Sequence, residues 1–209
     1  MSKLFGGASR LSFDYLAGRT ARAILEATVR PPAFAAALPG YLHPSEGALL
    51  YWLAGRIPAG GQVLEVGSFK GKSAAYLAAG LRARGATLHC VDVWTNRAMP
   101  YDPPQDVFAE FERNVALYRD RIRVHRGTSA DIASGWRVPL DLLFIDGDHS
   151  YEGCSLDIRA WLPHVRTGGV LAFHDSATEG VARALKEHLP RPHRSVGLRI
   201  WSIFIARKQ

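Results

Sequence analysis

Between Gln62 and His188, short apolar runs alternate with segments whose apolar residues recur at helical spacing, a rhythm few folds satisfy. β-type runs fall at Gln62–Val66, Thr87–Val93, Arg121–His125, Leu140–Ile145 and Gly169–Phe173, with a last β region from Ser195 to Ala206. Helical spacing fills the intervals at Ser73–Arg84, Asp106–Tyr118, Tyr151–Val165 and Thr178–His188. Leu140–Ile145 is almost wholly apolar, as a strand covered on both faces should be. The alternation predicts an α/β fold, a parallel sheet with helices on both faces. Ligands of such sheets bind beyond the carboxyl ends of the strands, so the residues just after each strand are where chemistry is sought.

The chain ahead of the alternation has a different texture. Asp14–Val29 has helical spacing and is stopped by Arg30-Pro31-Pro32. Pro44-Ser45-Glu46 opens another helix, with Leu49, Leu50, Trp52 and Leu53 as its apolar stripe, which ends at Ile57-Pro58-Ala59-Gly60-Gly61. Residues 1–44 are therefore expected to form a helical segment that covers the site or joins copies of the chain, and residues 45–209 the main domain. A length of 209 residues suits a single core. With 47% hydrophobic and 22% charged residues, the chain is neither disordered nor collagen-like nor a coiled coil. The net charge of +7 is scattered, and no aromatic stacking motif accompanies it, which disfavours nucleic acid as a partner. Cys90 and Cys154 lie in apolar surroundings and are too few for a disulfide framework, as suits a reducing compartment. No apolar run approaches the roughly 18 to 20 residues of a membrane helix. The opening residues also lack a signal-peptide core, so a cytoplasmic location is expected.

The first strand ends in Glu65-Val66-Gly67-Ser68-Phe69-Lys70-Gly71-Lys72-Ser73. Its glycines let backbone approach a ligand, the following helix offers free N–H groups to an anion, and Ser73 adds a hydroxyl. Two nucleotide motifs fail here. Phe69 occupies the second glycine of G-x-G-x-x-G, and three residues separate Gly67 from Gly71 where the phosphate loop needs four. The acidic strand end Leu143-Phe144-Ile145-Asp146 keeps a nucleotide hydrolase as a rival. Asp92, after the second strand, can accept from both hydroxyls of a ribose, with Trp94 beside the adenosine. Thr128 and Ser129, after the third, suit the lining of a base slot, or equally a plain turn and helix cap. Asp146-Gly147-Asp148-His149 ends the fourth strand and His174-Asp175 the fifth. Carboxylates and imidazoles converging at one rim call for a compensating cation or proton; a divalent metal is the natural choice, and carboxylate oxygens suit Mg²⁺.

Taken together, these motifs resemble the class I S-adenosylmethionine-dependent methyltransferases. The resemblance is greatest to the small metal-dependent O-methyltransferases: the catechol type, the macrocin and mycinamicin sugar type, and proteins labelled cephalosporin hydroxylases. It rests on E-V-G-S-F-K-G-K-S, on V-D-V-W, and above all on F-I-D-G-D-H-S-Y-E-G followed by Asp157, Trp161, Gly168-Gly169 and F-H-D. It implies a Rossmann-like, doubly wound, seven-stranded and mostly parallel sheet whose last strand is antiparallel. It implies that Glu65, Gly67, Phe69 and Gly71 shape the pocket for S-adenosylmethionine and that Ser73 holds its carboxylate. Asp92 would bind the ribose, Trp94, Thr128 and Ser129 would flank the adenosine, and Asp146 would border both cofactor and metal. Asp146, His174 and Asp175 would hold the metal, and His149 would be the general base. His174 stands where relatives usually carry a carboxylate. Imidazole suits Zn²⁺, Mn²⁺ or Fe²⁺ better than Mg²⁺, so the ion's identity stays open.

The expected reaction is methyl transfer to a hydroxyl of a small acceptor, a sugar or another natural product. A bound cation would acidify the hydroxyl, and His149 would remove its proton. The N-terminal segment and Thr95–Pro104 are expected to cover the site. Rival readings are a metal-dependent oxygenase or hydroxylase built on Asp146, His149 and His174, and a non-catalytic S-adenosylmethionine binder.

Overall fold

The computed structural model describes residues 18–95, 103–189 and 198–209. A helix over 18–28 (α1) is followed by α2 (Ala33–Ala37) and α3 (Pro44–Ala54). The alternation then runs β1 (Gln62–Val66), α4 (Lys72–Leu81), β2 (Thr87–Asp92), α5 (Phe108–Val115), β3 (Ile122–Arg126), α6 (Ser129–Ser134), β4 (Leu140–Ile145), α7 (Tyr151–Trp161), β5 (Val165–Phe173) and α8 (Glu179–His188). The strands β6 (Leu198–Ile200) and β7 (Ile203–Arg207) close the chain.

The sheet has seven strands in the order β3-β2-β1-β4-β5-β7-β6. Strands β1 to β5 pair in parallel, and β7 runs antiparallel to both of its neighbours. The arrangement is the expected one, with the last strand reversed. The chain builds outward from β1 to β3, then crosses back to place β4 against β1's free edge. A crevice opens where the order reverses, at the carboxyl ends of β1 and β4. All six residues of β4 are buried. One face of the sheet carries a core containing Leu50, Tyr76, Trp94 and Phe111, and the other a core containing Ile158, Trp161, Phe173 and Ala184. Leu25, Ala35, Leu38 and Leu42 join the first core, so the described part of the N-terminal segment packs onto the same sheet.

Boundaries differ from expectation where local chemistry outweighs period. Helix α7 stops at Trp161 and passes into a 3₁₀ turn, Leu162–His164, because Pro163 has no N–H for a further α-helical bond. Strand β5 accordingly begins at Val165, ahead of the expected Gly169. Helices α2 and α6 are too short to show a period. The last β region is two strands around a turn at Trp201-Ser202. The expected starts at Asp14 and Ser195 lie outside the described residues, as do Asn96, Met99, Pro100 and Tyr101 of the covering loop. Thr95 and Asp106 bridge that loop's base.

The β1–α4 turn decides how closely the strand ends approach. Gly67 has φ +85° and Gly71 has φ +86°, conformations that favour glycine. A Cβ on Gly67 would overlap the Asp146 carbonyl, so a side chain here would wedge β1 and β4 apart.

Candidate active site

Two connected lobes open at the reversal point. The larger, about 450 Å³, runs from Gly67 and Phe69 past Asp92 and Trp94 to Thr128 and Ser129. The smaller, about 100 Å³, holds Ser73, His149, His174 and Asp175, with Tyr41 and Lys72 at its wall. Gly67, Phe69, Asp146 and Gly147 border both. Nearly all the residues expected from the sequence are therefore brought together. Glu65 and Gly71 border neither lobe. Glu65 is fully buried beneath the turn, where Ser68 Oγ donates to its Oε2 at 2.6 Å and Oε1 has no hydrogen-bond partner. Burial pushes its carboxyl up to about 7, against the lowering pull of the Ser68 hydroxyl. Gly71 serves packing, since a Cβ there would run into Val115 and crowd Phe111.

Asp92 braces the larger lobe. Its Oδ2 accepts from the backbone N–H of Ser68 and of Phe69, both at 2.8 Å, and its Oδ1 from Trp94 N–H at 2.7 Å. A carboxylate has about four acceptor positions, so capacity for a ligand hydroxyl remains. Thr128 caps α6 through Asp131 N–H, while Ser129 Oγ accepts from Trp161 Nε1 at 2.8 Å. Asp157 also lines this lobe; buried, its carboxyl is pushed up to about 6 by desolvation. Phe69, Trp94 and Asp175 all have positive φ without being glycine, a strain that clusters at ligand sites.

The smaller lobe is electrostatic. His174, at the end of β5, places Nδ1 2.9 Å from Asp146 Oδ1 and 3.5 Å from Asp175 Oδ2, and Nε2 3.2 Å from Glu46 Oε2. Burial opposes charge on the ring, but Asp146, Asp175 and Glu46 outweigh it and hold the imidazole up, to about 12. The His174 contact holds the Asp175 carboxyl below its usual range. His149 stands nearer solvent, with Nε2 3.5 Å from Asp146 Oδ1 and Nδ1 3.4 Å from Asp175 Oδ2. The bond to Asp146 raises its pKa, with burial opposing. Helix α7 is capped by Ser150 Oγ, which leaves His149 free of that duty.

Three carboxylates around one imidazole call for positive charge, which the protonated His174 ring supplies unless a cation displaces its Nδ1 proton. The ligand atoms of Asp146, His149 and His174 lie within 4.8 Å of one another, and His174 Nδ1 is buried, 2.9 Å from Asp146 Oδ1 but out of line for a hydrogen bond. This group of nitrogen and carboxylate atoms fits a divalent cation; His149, expected as the base, belongs to it, whereas Asp175 lies 3.5 Å from His174 Nδ1 and outside it. Glu46 was missed as a site residue. Its sequence signal is that of a helix start, and it does cap α3, accepting from His43 N–H at 2.9 Å; its second partner, His174, is 128 positions away.

Residues 64–176 match a family model described as a methyltransferase domain. Solved structures share the fold at low identity. The SAH-bound methyltransferase PaMTH1 of Podospora anserina superposes with a TM-score of 0.65 at 16% identity, over 100% of this chain and 99% of that one. The O-methyltransferase TomG of Streptomyces achromogenes, involved in tomaymycin synthesis and solved with SAM, gives 0.62 at 16%, over 90% and 95%. CalS11, a TDP-rhamnose 3′-O-methyltransferase of calicheamicin biosynthesis, gives 0.60 at 17%, over 79% and 81%. With more than half its length inside the family model and its strands in this order, the chain belongs to the methyltransferase-domain family and is a class I S-adenosylmethionine-dependent methyltransferase.

Proposed function

We propose that the protein methylates a hydroxyl of a small acceptor, a sugar or another natural product, in the cytoplasm, with His149 as general base. The observation that carries this reading is His149 itself. Its part-exposed ring lines the smaller lobe between Asp146 and Asp175, and Asp146 also borders the larger lobe. The larger lobe has the volume and lining for the nucleoside of the donor, with Asp92 toward the ribose and Ser129 and Asp157 at the far end. S-adenosylmethionine supplies a methyl group already activated on a sulfonium. What remains is to make the acceptor oxygen nucleophilic. Asp146 and Asp175 orient the His149 ring, which takes the hydroxyl proton. Asp146, His174 and Asp175 would hold the divalent ion, which would act as a Lewis acid at the same oxygen. Tyr41, Phe69 and Lys72 wall the acceptor side. No helix among the described residues is long and apolar enough to cross a membrane, and both cysteines are buried and unpaired, which supports a reducing compartment.

The oxygenase reading has one observation in its favour, the convergence of two imidazoles and one carboxylate at Asp146, His149 and His174. The nucleoside-sized lobe beside them weighs against it. The test is methyl transfer from labelled S-adenosylmethionine to a panel of hydroxylated acceptors, sugar nucleotides included, with His149→Gln in parallel. We expect a methyl ether as product, a loss in kcat of about 10²- to 10⁴-fold in the variant, and S-adenosylhomocysteine affinity unchanged within about twofold. An equally active variant would remove His149 from the chemistry. Product oxidised rather than methylated would replace the whole reading.

A further inference from the structure

The carboxylate of Glu46 is buried at the start of α3, outside the strand-end motifs, and accepts four hydrogen bonds. Oε1 takes Ser202 N–H at 3.0 Å and Ser202 Oγ at 2.7 Å; Oε2 takes His43 N–H at 2.9 Å and His174 Nε2 at 3.2 Å. Glu46 is thus clamped from the start of α3 and the β6–β7 turn while it grips the ring at the end of β5. A carboxylate only accepts, so His174 Nε2 must carry its hydrogen. With Nε2 fixed, the ring can turn neither nitrogen elsewhere. Nδ1 is left buried within 2.9 Å of Asp146 Oδ1 and 3.5 Å of Asp175 Oδ2, out of line for a hydrogen bond to either, and a cation bound there would take the place of its proton.

We propose that Glu46 is a positioning residue that sets the tautomer and aim of His174, so that the Asp146–Asp175 cluster takes a nitrogen-binding divalent cation, Mn²⁺ or a later transition metal, rather than Mg²⁺. Histidine ligands are commonly oriented by a carboxylate on the ring's other nitrogen, and losing that partner costs metal affinity. Mg²⁺ prefers oxygen donors and retained waters, so one imidazole among the donors shifts selectivity away from it. The inference rests on the cation reading of the smaller lobe, and the methyl-donor lobe is not involved.

The experiment uses the full-length protein stripped of metal and saturated with S-adenosylhomocysteine, titrated calorimetrically with Mn²⁺ and with Mg²⁺. Pulsed electron paramagnetic resonance then reads nitrogen coupling on the bound Mn²⁺. We expect directly coordinated nitrogen in the wild type. Glu46→Gln should weaken Mn²⁺ by about 10- to 100-fold with S-adenosylhomocysteine binding retained. His174→Asp should lower the ratio of Mn²⁺ to Mg²⁺ affinity at least about tenfold. Mn²⁺ binding without nitrogen coupling, an unchanged ratio in His174→Asp, or no Mn²⁺ binding at all overturns the proposal. Unchanged Mn²⁺ affinity in folded Glu46→Gln, or nitrogen coupling that survives in His174→Asp and so comes from His149, also overturns it; if Glu46→Gln does not fold, Ser202→Ala, which loosens the clamp on Glu46, should weaken Mn²⁺ in the same direction. Absent S-adenosylhomocysteine binding would instead strike at the methyltransferase reading.

Discussion

Asp92 shows how one side chain serves fold and ligand together. It ties three backbone N–H groups, those of Ser68, Phe69 and Trp94, into the rim of the larger lobe. Asp92→Ala leaves them without their acceptor, which costs on the order of 1–3 kcal/mol each when water cannot replace it. We expect lower stability in urea and at least a tenfold loss of S-adenosylhomocysteine affinity, both read on the same preparation. Full stability with lost binding would mean that Asp92 serves the ribose alone. Its placement at the end of the second strand was legible in the sequence, because strand ends in this topology collect at one rim. Its grip on the neighbouring turn was not, since that contact spans residues 24 positions apart.

Among the elements, the β1–α4 turn and the β2–β3 pair carry the sharpest expectations. Gly67→Ala sets a Cβ against the Asp146 carbonyl at φ +85°. The strain alone costs about 1–3 kcal/mol, and the clash adds to it. We expect a lowered melting temperature, with loss of cofactor binding as β1 and β4 separate; a normal melting curve would show that the turn can yield. On β2, His89 is buried against His125 of β3, Nδ1 to Nε2 at 3.0 Å, with Gln62 at its other nitrogen and Trp136 across its ring. Burial, with the His125 and Arg123 charges, lowers its pKa to about 4. The unfolded chain therefore binds this proton first as pH falls. Stability is full above about pH 6.5 and is lost between about 6.5 and 4. His89→Gln should flatten that part of the stability–pH curve relative to wild type, measured by denaturant titration at pH 7.5 and 4.5. Parallel curves would mean that the pair accommodates its charge.

Across the whole molecule, the site depends on segments distant in the chain. Trp201, at the β6–β7 turn, stacks on His43 at 3.9 Å and lies under Arg22 of α1 at 3.9 Å. The same turn supplies Ser202 to Glu46. Both ends of the described chain thus brace a site whose motifs lie in its middle. A ligand bound at the reversal point engages the folded state alone, so S-adenosylhomocysteine at a hundred times its Kd should add about 2.7 kcal/mol. For a chain of this size that raises the melting temperature by several degrees. We expect the shift in wild type and, at the same ligand concentration, at most about half of it in Asp92→Ala. Its absence in wild type would mean that the folded chain does not bind the cofactor, and a full shift in Asp92→Ala would move the cofactor out of the larger lobe.

The sequence by itself determined the strand–helix alternation, the fully covered β4, the glycine turn after β1 and the strand ends at which Asp92, Asp146, His149, His174 and Asp175 stand. These are local properties, set by period, by the freedom of glycine and by the direction of each strand. Tertiary structure alone decided the rest. It placed Glu46 beneath His174, spent Glu65 and Gly71 on support rather than lining, and brought Asp157 to the larger lobe. It also split the tail into two strands whose turn reaches back to α3. None of these follows from spacing, because each is a contact between segments whose nearness is fixed only when the sheet has closed and its faces are covered.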